Sequence, residues 1–218
     1  MANALQRGPR LLKARNRAVT AEDFESLAIE SSPEIARAAC IQPGADGDAS
    51  RPPAGTIAVL VLPRVADTAR AVPIDEIRPS HALRDQVARF LDNRRLLASR
   101  VVVSPPTLVG VQVTASLKAA PGNDPDAVRD RALEALYRFC SPWTGGPTRT
   151  GWPFGRPIHV GELFAILGAV PGVAYIESAT LAPANLEKGT TAATVERIEV
   201  PATGVVCSAE HSITVTSA

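Results

Sequence analysis

Two hydrophobic periods run along this chain, and the switches between them mark out its elements. Thr20-Ala21-Glu22-Asp23 is a helix-start pattern, in which the threonine oxygen accepts a free N–H and the acid at the third helical position reaches back. Phe24, Leu27 and Ala28 then share one face. Pro33 ends that helix, and Ile35 to Ile41 reads as a small-residue strand. Residues 43–55 (PGADGDASRPPAG) are rich in turn formers. Thr56 to Leu62 (TIAVLVL) is apolar on both faces, which predicts a buried central strand stopped by Pro63. After a polar linker, Ser80 caps a helix whose Leu83, Val87, Phe90 and Leu91 form an i, i+4, i+7, i+8 stripe. Val101 to Val103 is a further strand, stopped by Pro105-Pro106.

The second half begins with clean alternation. Val109, Val111, Val113, Ala115 and Leu117 face one way, while Gly110, Gln112, Thr114, Ser116 and Lys118 face the other. That is a half-buried strand with one solvated or partner-facing side. Asp124-Pro125 opens a helix, with proline suited to its first turn, and Val128, Ala132, Leu136, Phe139 and Cys140 make its apolar face. Val160, Leu163, Phe164, Leu167 and Val170 mark another amphipathic helix, and Pro171-Gly172 turns the chain into a strand from Val173 to Leu181. Residues 182–194 read as loop. Glu196 to Val200 and His211 to Thr216 alternate weakly and read as a closing hairpin.

Two short echoes relate the halves. Ala82-Leu83-Arg84-Asp85 and Ala127-Val128-Arg129-Asp130 each introduce an apolar helix, and Pro33 and Pro171 each lead from helix to strand. The expected fold is α+β: two small α/β sandwich units of ferredoxin-like flavour with mixed sheets, plus a C-terminal β-hairpin. The divisions are a basic arm at 1–17, a first unit at 18–104, a second at 105–182 and a C-terminal loop and hairpin at 183–218. Within each unit two helices cover one sheet face. The polar side of Val109–Leu117 leaves the other face of the second sheet partly or wholly uncovered.

Composition narrows the function. Of 218 residues, 45% are hydrophobic and 21% charged, enough apolar material for a folded core. Net charge is +1, from 23 basic and 22 acidic residues, so no overall field steers nucleic acid or an anionic membrane. The 20 arginines, 3 lysines and 36 alanines reflect coding bias. Arg7, Arg10, Lys13, Arg15 and Arg17 precede the first acid, Glu22, and make either a solvated arm or one that docks on an acidic neighbour. The arm lacks the apolar core of a secretory signal, and the longest apolar stretches are too short to span a bilayer. Cys40, Cys140 and Cys207 form no CxxC pair, which excludes a zinc ribbon or redox dithiol and fits a reducing compartment.

No catalytic constellation emerges. His81, His159 and His211 are isolated, and His159 with Glu162 lacks the second histidine of an HExxH site. His211 shares its phase with Ile213 and Val215 and lines a core edge. There is no GxSxG elbow, P-loop or GxGxxG. Cys140 reads as a small buried hydrophobe. No cofactor or metal is implied.

The candidate for function is the loop 141–157 (SPWTGGPTRTGWPFGRP). It holds four glycines, four prolines, three of the nine aromatics, two arginines and no acid. A loop this long inside a compact domain is uncommon. Trp143, Arg149, Trp152, Phe154 and Arg156 are the interface candidates, since tryptophan, aromatic and arginine side chains anchor interfaces. Each ring either meets a partner or folds back onto its own core, and the sequence leaves both open. Such rings also stack on single-stranded nucleic acid, but the neutral charge and lack of a wider basic patch argue against it.

The same residues carry a family resemblance. The run from Asn16 to Ala28 (NRAVTAEDFESLA) resembles a signature of the baseplate J-like family, the wedge proteins of contractile phage tails and phage-tail-like contractile injection systems. Leu136-Tyr137-Arg138-Phe139 followed by Thr144-Gly145-Gly146 is similar to that family's helix-to-loop passage. Gly151 to Pro157 (GWPFGRP), Val160, Glu162-Leu163, Val170-Pro171-Gly172-Val173 and Ser208-Ala209-Glu210-His211 continue it in order, over about residues 7–216. Gly161 stands where the family leads one to expect a serine cap. The resemblance implies a structural, non-enzymatic wedge that joins the hub and spike region to the sheath in a sixfold baseplate. Implied partners are other wedge subunits, hub and spike proteins and sheath-proximal proteins, in multiple copies, with no nucleic acid and no direct membrane insertion. The implied location is the cytoplasm during assembly, within a particle that can be released. Family members are longer, with this region toward their C-terminus, so the chain reads as a short member or a piece of a longer one. A strand missing before the first helix would leave the first sheet to be completed by another chain. The alternatives from other classes are a small enzyme with a site near Cys140 and His159, and a free-standing adaptor binding a peptide along a sheet edge.

Overall fold

A computed structural model of the chain describes residues 17–44, 51–97 and 99–217. Arg7, Arg10, Lys13 and Arg15 of the basic arm lie outside the described residues, as does 45–50 of the turn-rich loop. The chain divides into two compact units, 1–65 with 76–106 and 66–75 with 107–218.

In the first unit, helix α1 (Ala21–Ser31) starts as its sequence dictates. Asp23 N–H donates to Thr20 Oγ1 at 3.2 Å, and Thr20 N–H donates back to the Asp23 carboxylate at 2.8 Å. Burial opposes ionisation of Asp23, but its hydrogen bonds with the backbone and side chain of Thr20 and the backbone of Val19 prevail and hold the carboxyl below its ordinary range. Strand β1 (Ile35–Ile41) runs antiparallel to β2 (Thr56–Pro63). A single-turn helix α2 (Ile74–Ile77) falls in the stretch read as polar linker. Helix α3 (His81–Asp92) is capped by Ser80 Oγ, which accepts the Leu83 N–H at 3.1 Å. Strand β3 (Arg100–Ser104) then pairs parallel with β2. Parallel neighbours cannot be joined by a hairpin, so α3 serves as the crossover. The sheet order is β1-β2-β3, with α1 and α3 packed together above it. Phe24, Leu27, Val59, Val61, Leu83, Val87 and Leu91 form the buried core between the layers. Each such aliphatic side chain contributes roughly 1.5–3 kcal/mol by leaving water.

The second unit is built on β4 (Thr107–Ala119). Val111, Val113, Ala115, Leu117 and Ala119 are buried, while Thr114 on the opposite face is exposed and Gln112, Ser116 and Lys118 are half-exposed, so the expected two-sidedness holds from Val111 on. Before it Val109 is only half-buried, and Gly110, expected on the open face, is buried against Ala184 and Leu186. Helix α4 (Pro125–Phe139) begins at Asp124, whose carboxylate accepts the Asp126 N–H at 3.3 Å. After a two-residue strand β5 (Ile158–His159) comes helix α5 (Val160–Gly168), which lies against β6 (Val173–Asn185) and against α4. Gly172, with φ 92°, makes the turn into β6 in a conformation that disfavours any side chain. Strand β6 runs antiparallel to β4, and β7 (Thr190–Thr191) follows on its far edge. The overall class is α+β with mixed sheets.

Four expectations change here. Residues 182–194 are not all loop, since β6 runs on to Asn185 and pairs there with β7. Among the described residues no C-terminal hairpin forms. Strand β8 (Arg197–Ile198) pairs with β5, while β9 (Gly204–Ser208) and β10 (Ser212–Ser217) each pair parallel with β4, β9 along its first half and β10 along its second. The buried edge of β4 offered a longer ladder than two weakly alternating segments could offer each other. Helix α5 is capped at His159, whose N–H donates to Glu162 Oε2 at 3.1 Å, so Gly161 lies inside the helix and does no capping. Phe164, counted on the apolar face, is 43% exposed.

His211 sits where β9 gives way to β10. Val113 N–H donates to its Nδ1 at 3.1 Å, so the imidazole fills a gap in the ladder beside β4. Its ring lies 4.7 Å from that of Tyr137, and its backbone N–H reaches the Tyr137 hydroxyl at 3.4 Å. Burial pushes the imidazole down to about 4.

Candidate interaction site

Loop 141–157 of the second unit is tied to the end of α4 by its own backbone. Gly145 N–H donates to Ser141 O at 2.9 Å, Gly146 N–H to Phe139 O at 2.8 Å, and Gly151 N–H to Gly145 O at 3.0 Å. The Ser141 hydroxyl accepts the N–H groups of Trp143 and Thr144, each at 3.2 Å. The bond to Phe139 O satisfies a carbonyl that the helix end leaves open. Together these bonds draw the chain so close that a Cβ on Gly145 would lie 2.2 Å from Phe139 O. Only glycine fits there.

The aromatic residues split by burial. Trp152 is fully buried, edge-on to Phe139 with ring centroids 5.3 Å apart. Its indole N–H donates to Arg156 O at 2.9 Å. Arg156 lies 5.1 Å from the Trp152 ring and grips Glu162 with both terminal nitrogens, at 2.6 and 3.3 Å. Since Glu162 also caps α5, Trp152 and Arg156 fasten the loop to that helix. Trp143 is buried as well, and Phe154 is half-buried. For both tryptophans the structure takes the second reading left open by the sequence, with the ring turned onto its own core. Arg149 is exposed at the loop tip, with φ 56°.

Beside that tip runs a groove of about 830 Å³. Residues 66–69, the outer side of α4, the loop at 144–149 and the end of α5 form its walls. Phe139, Ile166 and Val170 supply apolar lining. Its two acids are already taken: Glu134 pairs with Arg138 at 2.5 Å, and Asp67 with Arg70 at 3.8 Å. Arg131 lends Nε to Pro171 O at 3.1 Å. Among the described residues neither Arg131 nor Arg149 has an ion pair.

The fold resembles one found in a baseplate. The similar chain belongs to the cryo-EM structure of the anti-feeding prophage (AFP) baseplate, 6-fold symmetrised, with a TM-score of 0.65 and 19% identity over 96% of this chain. The match covers 41% of that chain, so the present sequence spans less than half the length of its structural neighbour. No protein-family model and no curated protein matches. At this identity the likeness to the anti-feeding prophage chain is one of fold.

The groups proposed for chemistry are poorly placed for it. Cys140 is fully buried, and burial pushes its thiol up to about 12, with Glu162 adding to the rise. A nucleophilic cysteine needs the opposite shift. Cys207 is likewise raised by burial and by Cys140 nearby. His159 serves α5 through its backbone and leaves its ring outside. Among the described residues no group of three or more His, Cys, Asp or Glu could hold a metal. Nor is any helix of these residues long and apolar enough to cross a membrane.

Sequence reading missed Arg131, Arg138 and the 66–69 wall. Arg131, Glu134 and Arg138 recur at i, i+3, i+7 along the polar side of α4, a stripe beside an aromatic loop, which was the available signal. Nothing in the sequence joins 66–69 to it.

Proposed function

We propose that this chain is a structural subunit of a contractile injection baseplate, and within it a wedge component of the baseplate J-like kind. It joins the hub and spike region to the sheath through protein–protein contacts, in several copies around a sixfold ring. The observation that carries this reading is the fold likeness to an anti-feeding prophage baseplate chain over 96% of the sequence. The ordered run of motifs from Asn16 to His211 supports the same reading independently of coordinates. So does a loop that is fastened at both ends and presents an arginine beside a groove, a design suited to holding a neighbour.

The test is recovery of the chain from its native host. A tagged chain is sedimented from lysate, the heavy fractions are imaged by negative-stain electron microscopy, and co-purifying proteins are identified by mass spectrometry. The expected result is the tag at one end of sheathed tubes, together with sheath and hub proteins. Recovery only as a light species without tube proteins overturns the proposal.

A further inference from the structure

We propose that the groove beside the loop tip receives an acidic, partly apolar peptide segment of a neighbouring chain, held by Arg131 and Arg149. This rests on the baseplate reading only for where that neighbour is found. A volume of about 830 Å³ suits a short stretch of polypeptide better than one side chain. Ile166 offers half-exposed apolar surface, backed by Phe139 and Val170, which show only their edges, and the two arginines line the same space. The carboxylates in the walls are spent on Arg138 and Arg70, so the cations that remain face a partner's charge. Arginine pairs carboxylates with two parallel hydrogen bonds, and complementary charge selects the partner and its register.

The backbone at the tip adds a second observation. Arg149 is the non-glycine residue with positive φ among the described residues. Holding a side-chain-bearing residue in that region costs on the order of 1 kcal/mol. Here the cost is met by Arg149 N–H on Gly146 O at 3.2 Å and by the Thr148 and Thr150 hydroxyls, 2.8 Å apart. The loop therefore fixes this arginine at the groove when a relaxed turn would release it. An extended segment with a carboxylate toward Arg131 and Arg149 and an aliphatic side chain toward Ile166 meets both features. Nucleic acid would meet the arginines and leave the apolar lining unused.

The experiment places the photoreactive residue p-benzoylphenylalanine at Pro147, an exposed groove residue, in the full chain within intact producing cells. The expected adduct joins a segment of another chain that carries Asp or Glu. Reversing both charges, Arg131→Glu with Arg149→Glu, lowers its yield about tenfold or more. Arg100→Glu, in the first unit, leaves the yield unchanged. Replacing the segment's acid by arginine restores the yield with the doubly reversed chain. Arg149→Glu alone serves if the double variant melts early. No adduct, an adduct with a segment free of carboxylates or with nucleic acid, or a yield indifferent to charge reversal overturns the proposal. Sedimentation of the same cells reads the two proposals separately. A chain found in particles without a charge-dependent adduct removes the groove alone, while a charge-dependent adduct from light fractions keeps the groove and removes the baseplate role.

Discussion

Trp152 shows how one side chain changes meaning between sequence and structure. As a letter in a Gly/Pro-rich loop it reads equally as anchor for a partner or as core. Its zero exposure and its bond to Arg156 O make it core. Trp152→Ala is therefore expected to cost about 3–5 kcal/mol of stability, read as a shift in the denaturant midpoint. Arg149→Ala, at the exposed tip, is expected to leave the midpoint within about 0.5 kcal/mol or raise it slightly. His211 gives a pH signature. Its imidazole titrates near 6.5 when unfolded and about 4 in the fold, so the native state favours the neutral ring. Stability is full above the unfolded value, falls as pH drops through it, and levels off only once the folded ring protonates. The loss approaches roughly 1.4 kcal/mol per pH unit inside that window. The stability gap between wild type and His211→Gln should narrow between about pH 7 and pH 5, by chemical denaturation at each pH. A gap that stays constant would mean the ring is not held neutral. The phase of His211 with Ile213 was legible; its role as acceptor for Val113 N–H was not, because that bond spans 98 residues.

At the scale of elements, local rules did most of the work. The reciprocal Thr20–Asp23 cap, the Ser80 cap and proline after Asp124 all stand where short-range chemistry places them, since each needs only a few neighbouring residues. Thr20→Ala should cost about 1 kcal/mol, measured on the first unit's unfolding transition. The strands were less legible where pairing was decided at long range. Glu196 to Val200 and His211 to Thr216 look like partners by proximity. Yet β10 gains six residue pairs along β4 and buries Ile213 in the second unit. Strand β9 was missed altogether, because Gly204-Val205-Val206-Cys207-Ser208 is a short run bounded by glycine and serine, without the length of apolar sequence that marks Thr56 to Leu62. Removing residues 209–218 should abolish cooperative unfolding of the second unit, as it takes away both β10 and the His211 ring. Survival of a sharp transition in differential scanning calorimetry would show β10 to be dispensable.

Across the whole molecule, the α+β class and the two-helices-over-one-sheet plan were readable from periodicity, whereas the groove was not. It joins residues 66–69 to three later stretches, the outer side of α4, the loop and the end of α5, and nothing local in the sequence links the first to the rest. The same geometry of β4 and β10 has a mechanical side. Parallel strands put the start of one and the end of the other at opposite ends of their shared ladder. A pull between Thr107 and Ser217 therefore loads all six β4–β10 pairs in shear at once, while a pull between Ala120 and Ser217 would peel them singly. Optical tweezers with handles at the first pair of positions should record the higher rupture force. Pulled along that direction, the second unit would yield last along β4, carrying tension through its sheet before giving way.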